Sequence, residues 1–231
     1  MPPARGAALA ARLSPSHLEA LAPESRALLA RLGERAWSTD FYLAGGAALA
    51  LYLGHRTVAG LDLMSLANRL TPQDRRDLLV DLLEMAPGAR VHTARDGYLA
   101  LELPGALALR FYYYPYPLVE PLGGAGLAVA SPLDLGLMKL GAIISRGSKR
   151  DFVDLYLLCR ELPLALLLER AQEKFGHVGD FTLQAMKGLA DTGAAAGEPM
   201  PGLARALDWA EVEGWISTEV EAAGRELLRV P

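Results

Sequence analysis

A lone carboxylate in an apolar strand, a glycine pair ahead of it and a knot of cations and acids downstream are the residues of this chain that could do chemistry. Asp62 stands in Leu61-Asp62-Leu63-Met64. A carboxylate there is costly unless it is paired, bound to a metal or placed at an exposed edge. Gly45-Gly46 falls between an expected strand and an expected helix. Backbone N–H groups at such a point can approach a phosphate, and the helix N-terminus adds positive potential. A tight turn needing positive φ would account for the same pair. The layout suits a nucleotide site. Two-metal phosphoryl chemistry wants two acids alternating along that strand, and the second place is Gly60.

Downstream, Lys139 and Arg146 are seven apart, two helical turns, and share a face. They could clamp a triphosphate or a nucleic-acid backbone, or form the solvated edge of an amphipathic helix. Gly147-Ser148 breaks that helix. Asp151 falls in the first turn of the next, a favourable place for a negative charge. Asp151 and Asp154 lie three apart on one face, with Phe152, Leu155, Tyr156 and Cys159 as the core stripe. An Arg150–Asp154 pair would be the plain structural reading. The run Tyr112-Tyr113-Tyr114-Pro115-Tyr116 reads either as a stacking platform for bases or as alternating strand residues entering a proline turn. His55 follows Gly54 and precedes Arg56; the other histidines are scattered. No Walker loop, nucleophile elbow, six-residue Rossmann glycine pattern or Cys/His metal cluster is present.

The elements that must position these residues are legible in outline. Residues 16–34 read as two short helices, with Ser14 or Ser16 and then Pro23 as punctuation. Trp37 to Ala44 reads as a strand, Gly45-Gly46 as a turn and Ala47–Leu53 as a short helix. Gly60–Ser65 is a second strand. Thr71-Pro72-Gln73-Asp74 predicts an N-cap with Pro at the first helical position and a helix to about Met85. Strands follow at meander spacing over Arg90–Thr93, Tyr98–Leu103 and Ala108–Tyr114, with a short one at Leu127–Ala130. From Ser131 onward the pattern is helical, over 132–145, 149–161, 163–175, 180–190 and 209–226. Thr192–Pro201, rich in Gly, Ala and Pro, reads as a linker. The expected fold is α/β (α+β): an α/β core with N-terminal helices over 1–130 and a helical C-terminal part over 131–231.

Composition bounds the rest. With 231 residues, 52% apolar and 22% charged, the chain can fill a real core. No apolar run reaches a membrane span, and the opening MPPARGAALAARLSPSH makes a poor signal peptide. Cys159, the one cysteine, reads as a small buried hydrophobe. A cytoplasmic protein is expected. A net charge of −4 is not the footprint of a strong nonspecific nucleic-acid binder. One Asn and three Gln fit a thermophile or a GC-rich genome.

Taken in order, AGGAALALYLGHR, LDLMS and SPLDLGLMKLGAIISRGSKRDFVDLYLL resemble the AbiEii/AbiGii toxin family, nucleotidyltransferases of the DNA polymerase β superfamily. The resemblance runs from residue 41 to about 216. It implies a nucleotidyltransferase-like mixed β-sheet core flanked by helices, a metal–NTP site with Mg²⁺, transfer of a nucleotide to an acceptor that is tRNA in some members, and a cognate antitoxin for toxin members. By position, Gly45, Gly46, His55, Arg56, Lys139 and Arg146 would bind the nucleotide, and Asp62 would bind metal. Asp62, Lys139, Asp151 and Asp154 would form the catalytic set.

The chain departs from that pattern. Complete members carry Asp-x-Asp where it has Gly60-Leu61-Asp62, and Ala47 follows the glycine pair where Ser or Thr is common. The strand expected to bring a third carboxylate carries Arg110, with Glu102 as a substitute. Three readings follow. One is an NTP–Mg²⁺ protein with weak or altered transfer to an RNA or protein acceptor, toxin-like. A second is a catalytically impaired relative acting as a nucleotide-sensing or protein-binding module. A third has the tyrosine strand and basic helix binding RNA without catalysis.

Overall fold

The computed structural model describes residues 13–124 and 126–227. The opening segment, up to residue 12, lies outside the described residues. Two compact units hold the rest, one over Ser14–Ser131 and one beginning at Pro132.

The N-terminal unit runs α1 (Pro23–Gly33), β1 (Tyr42–Ala44), α2 (Gly45–Leu53), β2 (Leu61–Ser65), α3 (Pro72–Met85), β3 (Arg90–Arg95), β4 (Tyr98–Leu103), β5 (Leu107–Tyr113) and β6 (Ala128–Val129). Its mixed sheet has the order β3-β4-β5-β2-β1-β6. β2 runs antiparallel to β1 and parallel to β5. Thr71 caps α3 as its spacing predicts, its hydroxyl accepting from the Asp74 N–H.

Alternation along the strands gives the sheet two unlike faces. Leu61 and Leu63 of β2, Leu109 and Phe111 of β5, and Leu99 and Leu101 of β4 are buried. Trp37, Phe41 and Phe111 meet edge to face on that side, with centroids 5.2–6.0 Å apart. The Trp37 indole donates to Asp81 of α3 at 2.9 Å. Asp62, Met64, Arg110, Tyr112 and Tyr98 lie on the opposite face and are half-buried.

The second unit is helical: α4 (Pro132–Ser145), α5 (Lys149–Cys159), α6 (Leu164–Phe175), α7 (Phe181–Ala190), α8 (Gly193–Ala196) and α9 (Trp209–Leu227). Among the described residues no helix is long and apolar enough to cross a membrane.

Three local expectations are corrected. Ala36–Asp40 is a 3-10 helix, and only Tyr42–Ala44 joins the sheet. Gly45 and Gly46 are the first residues of α2 rather than a separate turn; Gly45, at φ +64°, makes the sharp entry from strand to helix. The segment Thr192–Pro201 is no free linker. It contains α8 with Ala195 fully buried, and Lys149 holds it through the carbonyls of Ala196 at 3.0 Å and Glu198. Carbonyls of a short connector that accept from a buried ammonium are part of the packed structure.

Candidate functional site

The sequence places two groups of chemistry-bearing side chains in two different units, and each group has its own geometry. In the N-terminal unit the group forms around β2. Strand pairing sets Asp62 opposite Ala44 on one side and opposite Arg110 on the other. The Arg110 guanidinium donates to Asp62 Oδ1 at 3.2 Å. The side chains are 41% and 28% exposed, so solvent reaches both. Burial works against the Arg110 charge, but the Asp62 carboxylate outweighs it and holds the guanidinium protonated. Burial, reinforced by the Asp62 charge, pushes the Tyr112 phenol up. Tyr112 and Tyr98 face each other with centroids 5.0 Å apart, and Arg95 lies 5.2 Å over the Tyr98 ring.

The glycine pair closes on this group. A Cβ at Gly45 would stand 2.8 Å from Asp62 Oδ2, and one at Gly46 would meet the Arg56 guanidinium. Any side chain at either position would displace a charged one. Arg56 is buried and His55 half-buried. The tyrosine run enters β5, where Tyr112 and Tyr113 point to alternate sides and Tyr113 is exposed. Tyr114 and Tyr116 meet beyond it, 4.6 Å apart.

In the C-terminal unit, Lys139, Arg146, Asp151 and Asp154 come together. The Lys139 ammonium donates to Asp151 at 3.1 Å and to Asp154 at 2.7 Å. Arg146 donates to both Asp151 oxygens at 2.7 and 2.8 Å, and the Ser148 hydroxyl donates to the same carboxylate at 2.7 Å. Asp151 and Asp154 are fully buried and Lys139 nearly so. Burial pushes the Asp151 carboxyl up, but hydrogen bonds from Arg146 and Ser148 and the Lys139 charge outweigh it and hold it low. Asp154 faces Lys139 rather than taking Arg150 as the plain reading had it. A second buried pair, Lys174 with Asp134 at 2.7 Å, links α6 to α4. Sequence reasoning passed over it because the two residues are forty apart and sit in otherwise ordinary helical patterns.

The donor set does not fit a two-ion centre. Among the described residues no three His, Cys, Asp or Glu side chains come together as metal ligands. Asp62 Oδ1 is engaged by Arg110, and Glu102, the substitute acid, lies 3.5 Å from His92 instead. Two divalent ions need several carboxylates to neutralise and bridge them. Nor is the second acid one substitution away. Gly60 has φ +136°, where residues with side chains are strained, and a Cβ there would stand 3.1 Å from the Ala108 carbonyl oxygen.

The fold is shared with known structures. A protein of H. pylori described as a candidate nucleotidyltransferase superposes with a TM-score of 0.54 at 16% identity, covering 91% of this chain and 94% of that one. MenT4, a nucleotidyltransferase toxin from Mycobacterium tuberculosis, superposes with a TM-score of 0.50 at 16% identity, covering 92% and 87%. The architecture is therefore nucleotidyltransferase-like. No family model matches the sequence. The chain is 31% identical over 168 residues to the uncharacterized protein aq_aa25 of Aquifex aeolicus, covering 71% of this chain and 79% of that protein, and it belongs to the same family as that protein.

Proposed function

We propose that this chain is a nucleotide-binding protein on the nucleotidyltransferase fold whose capacity for two-metal transfer is impaired. The observation that carries the reading is the state of β2: Asp62 is its one acid, it is paired with Arg110, and Gly60 holds the neighbouring acidic place. The N-terminal unit would take the nucleotide, with Gly45, Gly46, Arg56 and His55 at the strand-to-helix entry. Lys139, Arg146, Asp151 and Asp154 would act chiefly to hold α4 and α5 together, because each buried carboxylate is already matched by a cation. Membership of the AbiEii/AbiGii group, Mg²⁺ binding at Asp62, an RNA acceptor such as tRNA and a cognate antitoxin remain part of the proposal through the sequence resemblance. A toxin-like role draws further support from the likeness of the fold to MenT4, a nucleotidyltransferase toxin.

The test is thermal unfolding with each of the four NTPs, alongside a search for labelled nucleotide transferred to total RNA. A site filled to about 100 times its Kd stabilises the fold by roughly 2.7 kcal/mol. The expected result is a shift with at least one nucleotide and no efficient transfer. Rapid incorporation of label, abolished by Asp62→Ala, would overturn the impaired-transfer reading. No shift with any nucleotide would remove nucleotide binding itself.

A further inference from the structure

We infer that Arg110 holds the place of a divalent cation at Asp62, so that a metal ion reaches this carboxylate only by displacing the guanidinium. The inference rests on the reading above in which Asp62 binds the metal, and it adds the condition under which Asp62 can do so.

Strand register builds the contact. Asp62 lies on a strand paired on both sides, opposite Ala44 of β1 and Arg110 of β5, so Asp62 and Arg110 leave neighbouring points of one sheet face. The guanidinium donates to Oδ1 at 3.2 Å. Oδ2 packs so close to Gly45 that a Cβ there would stand 2.8 Å from it. The start of the strand is fixed as well. The Gly60 N–H donates to the hydroxyl of Ser25 at 3.2 Å, and Ser25 is fully buried. The sheet itself therefore presents Asp62 to Arg110.

Charge sets the consequence. Ions of the Mg²⁺ class are held by one or two carboxylates together with waters and phosphates. One carboxylate is on offer here, and Arg110 already balances its charge. Glu102 of β4 stands 3.5 Å from His92 instead. The first turn of the nine-residue α2, which begins at Gly45, adds positive potential beside Oδ2. A unit positive charge about 5 Å from a divalent ion weakens its binding by about tenfold even in a water-like dielectric, and by less as salt rises.

Exposure sets the manner. The Arg110 side chain is 41% exposed, and a pair so open to solvent is held weakly. The guanidinium can swing into water without disturbing the strands. Arg110 therefore competes with a metal ion rather than sealing the carboxylate off.

The experiment is Mn²⁺ binding to the whole chain at low salt, read from the loss of the free-ion signal in electron paramagnetic resonance. Wild type is compared with Arg110→Gln, Arg110→Ala, Arg110→Lys, Asp62→Asn and a double variant carrying Arg110→Gln with Asp62→Asn. The two neutral variants at Arg110 should each bind Mn²⁺ about tenfold more tightly than wild type. Arg110→Lys keeps the charge and should stay near wild type, and the double variant should lose the gain. Equal affinity in wild type and the neutral variants, abolished by Asp62→Asn, would overturn the inference and leave Asp62 as a metal ligand. A gain that survives Asp62→Asn would put the ion elsewhere and overturn it too. No Mn²⁺ binding in any variant would overturn both the inference and the metal-binding reading, while the thermal shifts with NTPs judge nucleotide binding separately.

Discussion

The chain carries two acid–base clusters of similar composition, and they differ in almost every physical respect. Around Asp151 the carboxylates are fully buried, and two cations and a hydroxyl converge on them at 2.7–3.1 Å. Around Asp62 a single 3.2 Å pair lies on a half-open sheet face. Charges removed from water must be matched within the protein, and their partners are then committed. Charges left at a wet surface are weakly coupled and free to exchange partners with a ligand. The same residue types therefore serve cohesion in one unit and, on our reading, recognition in the other.

The comparison can be broken most forcefully at Lys139. Lys139→Met removes the ammonium that two buried carboxylates share, leaving Asp151 with Arg146 alone, and should lower stability by roughly 3–5 kcal/mol in urea denaturation. A loss below about 1 kcal/mol would mean the cluster is wetter than its burial indicates. Gly60→Asp comes next. The glycine-only backbone and the nearby Ala108 carbonyl predict a loss on the order of 1–3 kcal/mol, with no metal-dependent transfer gained. A stable variant with new Mg²⁺-dependent activity would show that one acid alone was missing.

Acid is a milder probe. The folded carboxyl of Asp151 is held below its ordinary value of 3.8. Its contribution is therefore fully present above that value and is lost as the pH falls through the depressed one. Stability measured from about pH 5 down to about pH 2 should fall less steeply in Asp151→Asn than in wild type, and equal slopes would remove Asp151 from the account. The smallest stability effect is expected at Arg110. Arg110→Gln breaks a solvent-exposed pair and should change stability by less than about 1 kcal/mol. A large loss of stability there would erase the contrast between the clusters.

Much of the architecture was legible in local pattern. The Thr71-Pro72 cap and the strand at Tyr98–Leu103 follow from propensity and alternation, and both appear as read. Trp37 to Asp40 misled because aromatic and β-branched residues favour strands in general. Here the tertiary structure uses the Trp37 ring to cover Phe111 and its indole to reach Asp81. The linker reading of Thr192–Pro201 failed because composition records flexibility of the free chain and is blind to the Lys149 ammonium that holds the segment.

The sequence alone determined which charges exist: one acid on β2, Gly60 in the neighbouring place, and a cation on the strand where an acid was expected. Those are facts of composition and order, and folding does not alter them. Only the tertiary structure decided the partners. Asp62 meets Arg110 because a parallel pairing of β2 with β5 aligns strands that the sequence separates by more than forty residues. Lys139 meets Asp151 and Asp154 because α4 and α5 pack and exclude water from the space between them. Partner choice depends on distance and dielectric, and both are set when the chain closes on itself.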